Sequence, residues 1–210
     1  MSQVEPTRRE RKKEDTRRRI LEVAIALFRE KGFEATTVDE ISEKADVGRA
    51  TFFNYFPRKE SVLAYLSESR LESLEERARE LIASPGTARD KIIESYLDAA
   101  RFHEADPGFS RYIFDLMLKR AFKPTHELEK RMNAINTSLI LQGQEQGELR
   151  PDLEPARAGA VLLSVYMTTI MQWAMCDDDC IVRISDLRGE LRQRIELVLD
   201  GLASPKEARA

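Results

Sequence analysis

The 210 residues are enough for a small domain joined to a larger one or for a single large core, and 42% hydrophobic and 34% charged residues with nine glycines and eight prolines exclude a disordered or staple-dependent chain. No run reaches the roughly 18 apolar residues of a bilayer span, the N-terminus lacks the apolar core of a secretion signal, and the two cysteines, Cys176 and Cys180, are too few for a disulfide scaffold, so a cytoplasmic protein is expected. The net charge of -3 is uneven: residues 1–19 hold eight Arg or Lys against four acids, a balance of +4 that leaves -7 for residues 20–210, and a basic end on an acidic body is the footprint of a protein that meets a polyanion.

Nothing alternates with period two over a useful span, so an all-α fold of about nine helices is expected. After a basic, mobile arm at 1–14, Ile20, Val23, Ala24, Leu27 and Phe28 share one face of a helix from about Asp15 to Lys31, and Gly32 stands where its C-terminal cap belongs. Thr37-Val38-Asp39-Glu40 has capping-box spacing and opens a second, short helix with Val38, Ile41 and Ala45 as its buried stripe. Asp46-Val47-Gly48 reads as a tight turn, a third helix runs from about Arg49 to Phe56, and Pro57 stops it. A long helix from about Lys59 to Ala83 closes at Pro85-Gly86. Breaks at Asp106-Pro107-Gly108, Lys123-Pro124, Gly147 to Pro151 and Cys176 to Cys180 leave helices at roughly 88–105, 109–121, 125–146, 154–175 and 183–202, and the chain from Ser204 is expected to fray.

Two short helices joined by a three-residue turn with a glycine form a helix-turn-helix, whose second helix enters the major groove of duplex DNA. Phe52 and Phe56, four apart, anchor that helix on Leu27, Phe28, Ile41 and Val47, which presents Gly48, Arg49, Ala50, Thr51, Phe53, Asn54 and Tyr55 toward a groove. Arg49 can donate two hydrogen bonds to a guanine edge, Asn54 can pair with an adenine, and Phe53 offers a ring to a thymine methyl or a sugar. Thr51 and Tyr55 suit phosphates, as does Thr37 at a helix N-terminus, and Lys59 can add a direct charge contact.

Gly32-Phe33, Thr36-Thr37-Val38, Ile41, Ala45, Val47, Thr51-Phe52, Tyr55-Phe56 and Lys59-Glu60 together resemble the DNA-binding motif of the TetR/AcrR family over about residues 15–61. The run Gly143-Gln144, Gly147 to Asp152, Tyr166 and Trp173 is also similar to family members. This chain departs from the pattern at Gly48, where many members cap the groove helix with Ser, at Ala50, a frequent Gly, and at Phe53, a common Tyr. The resemblance implies a dimeric transcription regulator with a helix-turn-helix domain at 15–61 and a ligand-binding and dimerisation domain at 62–210, a repressor that a small, largely hydrophobic effector releases from a palindromic operator.

In the last helix Leu187, Leu191, Ile195, Val198 and Leu202 form an apolar stripe, and the helix before it carries small residues Ala156, Ala160 and Ser164 at four-residue spacing. An internal core seam and a surface for a second copy both fit this pattern. The resemblance implies the second, with Ala160, Ser164, Leu187, Leu191, Ile195 and Val198 at a four-helix dimer interface. Phe102, Phe114, Met117, Tyr166, Met167 and Met171 are the candidates for effector contact, since family members bind such ligands in this region and methionine walls adapt to varied shapes. No metal is expected, because Cys176 and Cys180 have no third ligand nearby and His103 and His126 lie far off in sequence. No phosphate loop, nucleophile elbow or carboxylate pair suggests an enzyme or a cofactor.

Overall fold

The computed structural model describes residues 7–118, 126–176 and 183–203, which form nine helices and, among these residues, no strand. They belong to two compact units, Met1–Ser67 and Glu68–Ala210, and the division falls inside the fourth helix.

In the first unit α1 spans Arg8–Lys31, seven residues longer at its start than the apolar periodicity predicts. A capping box sets that start: Thr7 Oγ1 accepts the Glu10 N–H at 3.3 Å and the Glu10 carboxylate accepts the Thr7 N–H at 2.7 Å. Ion pairs one turn apart, Arg17 to Glu14 at 2.9 Å and Arg18 to Asp15 at 3.2 Å, carry the charged stretch in helical form. The arm expected at 1–14 is therefore helical from Arg8, and residues 1–6 lie outside the described chain. Ile20, Ala24, Leu27 and Phe28 are buried, and Gly32, at φ +87°, ends the helix. α2 (Val38–Lys44) and α3 (Arg49–Tyr55) follow, with Asp46 at φ +50° making the turn between them, a conformation that Asp tolerates better than most side chains.

The helices of the second unit are the rest of α4 (Glu60–Ala83), α5 (Ala88–Ala105), α6 (Pro107–Leu118), α7 (His126–Glu145), α8 (Pro155–Met175) and α9 (Leu187–Leu202). The break expected at Asp106-Pro107-Gly108 is a junction of two helices: Asp106 ends α5, its carboxylate accepts the Phe109 N–H at 2.9 Å, and Pro107 takes the first position of α6, where no N–H is needed. The expected turn at Lys123-Pro124, the acidic segment beyond Cys176 and the chain from Ser204 lie outside the described residues.

α8 is the central helix, packed on α6, α7 and α9, while α5 packs on α7 and α9. By length and mean composition α8 is apolar enough to cross a membrane, although it holds no unbroken apolar run of that length, and Leu162, Tyr166 and Ile170 bury one face of it in the core of this unit. Close approach to α7 comes from Gly159, where an added Cβ would stand 2.7 Å from Asn133 Oδ1 and 3.1 Å from the Asn136 Cβ. Ala160 and Ser164, expected to serve a second copy, are exposed on the other side.

The stripe on α9 needs correction. Leu187, Leu191 and Ile195 are buried in the core of their own chain with Leu199, and Val198 is half-buried against it, so the first three are unavailable to a second copy. The stripe is the internal seam, formed because α5 and α8 together cover it. Leu197 instead points out, 75% exposed beside a Leu191 that is 0% exposed. Leu191→Ala should therefore cost roughly 2–5 kcal/mol of unfolding free energy, as core Leu truncations do, and Leu197→Ala, which removes nothing from that core, clearly less. Urea unfolding of the two variants followed by circular dichroism checks this, and equal midpoints would refute the assignment.

Candidate nucleic-acid interface

α3 has two faces of opposite character. Phe52 and Phe56 are 0% and 1% exposed, their ring centroids 5.8 Å apart, and Phe56 meets the Tyr65 ring edge-on at 5.8 Å. Gly48, Arg49, Ala50, Phe53 and Asn54 are exposed on the opposite side, and Thr51 and Tyr55 are half-buried at its borders. Gly48 caps α3 without any side-chain hydrogen bond, so the departure noted in the sequence leaves the N-terminal N–H groups of α3 without a hydroxyl partner from that position. Phe53 is a large apolar ring, 40% exposed on this outward face.

Three of the proposed contacts are already engaged. The Arg49 guanidinium grips both carboxylate oxygens of Asp39, at 2.7 and 2.9 Å, and lies 5.7 Å from the centre of the Phe53 ring. That fixes the direction of its fork, and both partners remain exposed enough to exchange for a base edge. Thr37 is exposed, but its hydroxyl and its N–H both donate to Glu40 at 2.9 Å. Hydrogen bonding from Lys31, and then from the Thr37 backbone and hydroxyl, holds Glu40 well below the usual carboxylate range, at about 2, so a carboxylate already occupies the helix end expected to seat a phosphate.

Lys59 is a correction. Its ammonium donates to the carbonyls of Phe33 and Thr36 and sits 4.1 Å from the centre of the Phe33 ring, so it ties the α1–α2 connection together and points inward. Lys59 is half-buried and the carbonyls it reaches belong to the buried Phe33 and Thr36, a contact that no spacing rule reveals.

Sequence reasoning missed Asp39 and Arg17. Asp39 looks like an ordinary acid of a first helical turn, and only the α2–α3 angle brings it to Arg49. Arg17 lies 5.8 Å from the Tyr55 ring centre and 5.2 Å from that of Tyr65, clamping one border of α3.

Of the six effector candidates, Phe114 and Tyr166 are buried in the core of the second unit, and Met117, Met167 and Met171 pack against it half-buried. Phe102 lies under the Arg70 guanidinium, 3.7 Å from its ring centre. Tyr166 and Phe102 meet around a polar cluster that the periodicity does not reveal. The Tyr166 hydroxyl is 3.0 Å from His103 Nε2, His103 Nδ1 is 2.8 Å from Ser110 Oγ, and Arg70 Nη2 donates to the Ala99 carbonyl at 2.9 Å. Burial, and then the charge of Arg70, push His103 down to about 3, so its ring is neutral at physiological pH.

The geometry of a groove helix on a three-helix unit is matched by known proteins. Residues 20–66 fit the model of bacterial regulatory proteins of the tetR family. The HTH-type transcriptional repressor KstR2 of Rhodococcus jostii is 24% identical over 92% of this chain and 94% of its own length. The crystal structure of FadR, a transcriptional repressor of Thermus thermophilus, solved with lauroyl-CoA, superposes with a TM-score of 0.68 at 29% identity, covering 92% of this chain and 98% of that one. FadR from Bacillus subtilis, solved with stearoyl-CoA, gives a TM-score of 0.70 at 21% identity over 88% and 98% of the two chains. A family match on the helix-turn-helix, with relatives aligned along nearly the whole length, identifies this chain as a DNA-binding transcription regulator of the TetR family.

Proposed function

We propose that the protein is a cytoplasmic, dimeric repressor whose α3 reads the major groove of a palindromic operator and which a small, largely hydrophobic effector releases from that operator. What carries the reading is the outward face of α3, where Arg49, Phe53 and Asn54 stand exposed opposite the buried Phe52 and Phe56. Arg49, aimed by Asp39, reads a guanine, Asn54 reads an adenine, and Phe53 packs on a thymine methyl or a sugar. Gly48 and Ala50, without bulk, let the helix approach the duplex, and Thr51 and Tyr55 hold phosphates at its borders. The exposed Arg8, Arg9, Arg11, Lys12 and Lys13 along the first turns of α1 add attraction that does not depend on sequence.

The effector part rests on the relatives solved with acyl-CoA ligands and on the apolar interior of the second unit. α4 starts in one unit and ends in the other, so a ligand that biases the packing of the second has a continuous helix through which to act on the first. For the second copy, we assign the outer faces of α8 and α9, with Ala160, Val161 and Ser164 on one and Leu197 on the other; Val161 and Leu197 are exposed apolar residues that a second copy would cover. Val161→Asp with Leu197→Asp should yield monomers in sedimentation with an unchanged circular dichroism spectrum. A dimer that survives the double change would move the interface elsewhere.

Operators selected from random duplexes by the purified protein supply the test of base reading. Arg49→Ala should relax preference at one base pair per half-site, by about 1–3 kcal/mol, and leave the salt slope nearly unchanged. Lys59→Met should lower the melting temperature without altering which bases are preferred, since Lys59 serves the fold. Titration of both variants against single-base operator changes at several salt concentrations decides. A uniform loss across the panel for Arg49→Ala, with a salt slope lower by about one, would make Arg49 a phosphate clamp.

A further inference from the structure

Among the described residues, arginines of the second unit that fold against another helix are, with one exception, matched by carboxylates. Arg77 pairs with Glu80, Glu94 and Asp98, Arg131 with Glu68 and Glu75, and Arg194 with Glu190. The exception is Arg70. Its contacts among the described residues are neutral: Nη2 donates to the Ala99 carbonyl at 2.9 Å and lies 3.1 Å from His103 Nε2 and 3.3 Å from the Tyr166 hydroxyl, while the guanidinium stacks on Phe102. Nη2 makes all three of these contacts, which leaves the N–H groups of Nη1 and Nε without a partner among the described residues.

Arg70 is half-buried, and a cation partly drawn out of water with no counter-charge is held at a cost that an uncharged side chain of similar size would relieve. Burial pulls the guanidinium below its ordinary range, though an arginine keeps its charge. His103 is neutral and supplies no second charge, so the cluster carries one positive charge, on a planar fork that suits a carboxylate or a phosphate. Around it the chain offers aromatic surface: Phe102 beneath the guanidinium, and Phe114 and Tyr166 with ring centres 6.4 and 6.1 Å from that of His103.

We infer that Arg70 is the anion-pairing residue of an effector site in the second unit, and that the effector is an apolar body bearing one acidic group, a carboxylate or a phosphate, which takes the free side of the guanidinium. The inference rests on the effector reading above and adds its charge. In it, Tyr166 and His103 hold Arg70 in place as positioning residues, and Phe102 lies beside the acidic end of the ligand.

The test titrates decanoate, decanoyl-coenzyme A and 1-decanol into the full-length protein and into Arg70→Gln, by calorimetry and by the emission of Trp173, the single tryptophan, which packs against the same core. At least one of the two anionic probes should bind wild type ten-fold or more tightly than decanol, and Arg70→Gln should lose that preference while still melting at or above the wild-type temperature. Decanoate preferred over its thioester assigns the anion as a carboxylate; the reverse assigns it as a phosphate of the carrier. Equal binding of decanol and the anions by wild type overturns the inference while leaving the effector reading standing, as does a charge preference that survives in Arg70→Gln. A large fall in melting temperature for Arg70→Gln without ligand overturns it as well, since the residue would then be a structural hydrogen-bonding group. Failure of all three probes to bind wild type overturns the effector reading and this inference together.

Discussion

The angular setting of α3 about its own axis is the constraint on which the DNA-binding surface depends. Seven residues of helix are too few to stand alone, so tertiary anchoring decides whether α3 exists and which way it faces. Phe52 and Phe56, one turn apart, provide that anchor, and the 3.6-residue period then sends Arg49, Phe53 and Asn54 outward. Rotation by a single position would bury Phe53 and expose Phe52, exchanging the reading face for a core face. The turn before α3 helps set this angle, because Asp46 in the left-handed region lets the Val47 N–H reach the Ser42 carbonyl at 3.0 Å.

Charges around that surface are held in pairs: Arg49 with Asp39, Lys31 with Glu40, Arg17 with Glu14 and Lys44 with Glu30. Exposed pairs of this kind contribute about 0–1 kcal/mol to stability, so their value lies in orientation. Arg49, whose Nη1 alone donates to both Asp39 oxygens, arrives at DNA with its side-chain rotamer already restricted. The carboxylate it leaves behind sits at the first turn of α2, where the helix dipole favours a negative charge with or without a partner. Pairing thus costs little to break and spares part of the ordering entropy on binding.

Elements and their faces were legible where local chemistry alone decides them. The Thr37 capping box opens α2 and Gly32 ends α1 through interactions within one turn of chain, so spacing suffices to find them. The start of α1 was missed because Thr7 and Glu10 cap a stretch with no apolar stripe, and periodicity is blind to a helix that buries nothing. The α9 stripe shows a different limit. Leu187, Leu191 and Ile195 are the same apolar face whether α5 and α8 or a second chain covers them, and only the packing within the chain tells the two apart. Lys59, Asp39 and Arg70 were misread or unseen for one shared reason: their partners are 23 or more residues away for Lys59, 10 for Asp39 and 29 or more for Arg70, and are set by helix crossing angles.

Two cations inside the second unit separate structural from available charge. Lys91 is 4% exposed, yet its ammonium donates to the Ile82 carbonyl at 3.2 Å near the end of α4 and to Gln142 Oε1 at 3.0 Å, joining α4, α5 and α7. The last carbonyls of α4 give it the negative end of a helix dipole, so the charge is answered without a carboxylate. Arg70 has one carbonyl, a neutral imidazole and a phenol, all on one nitrogen. In the same unit, then, one buried cation is satisfied by dipoles that the fold supplies permanently. The other, half-buried, stands against aromatic rings with Nη1 and Nε unmatched by the described chain, and it is this free side that the inferred anion would take.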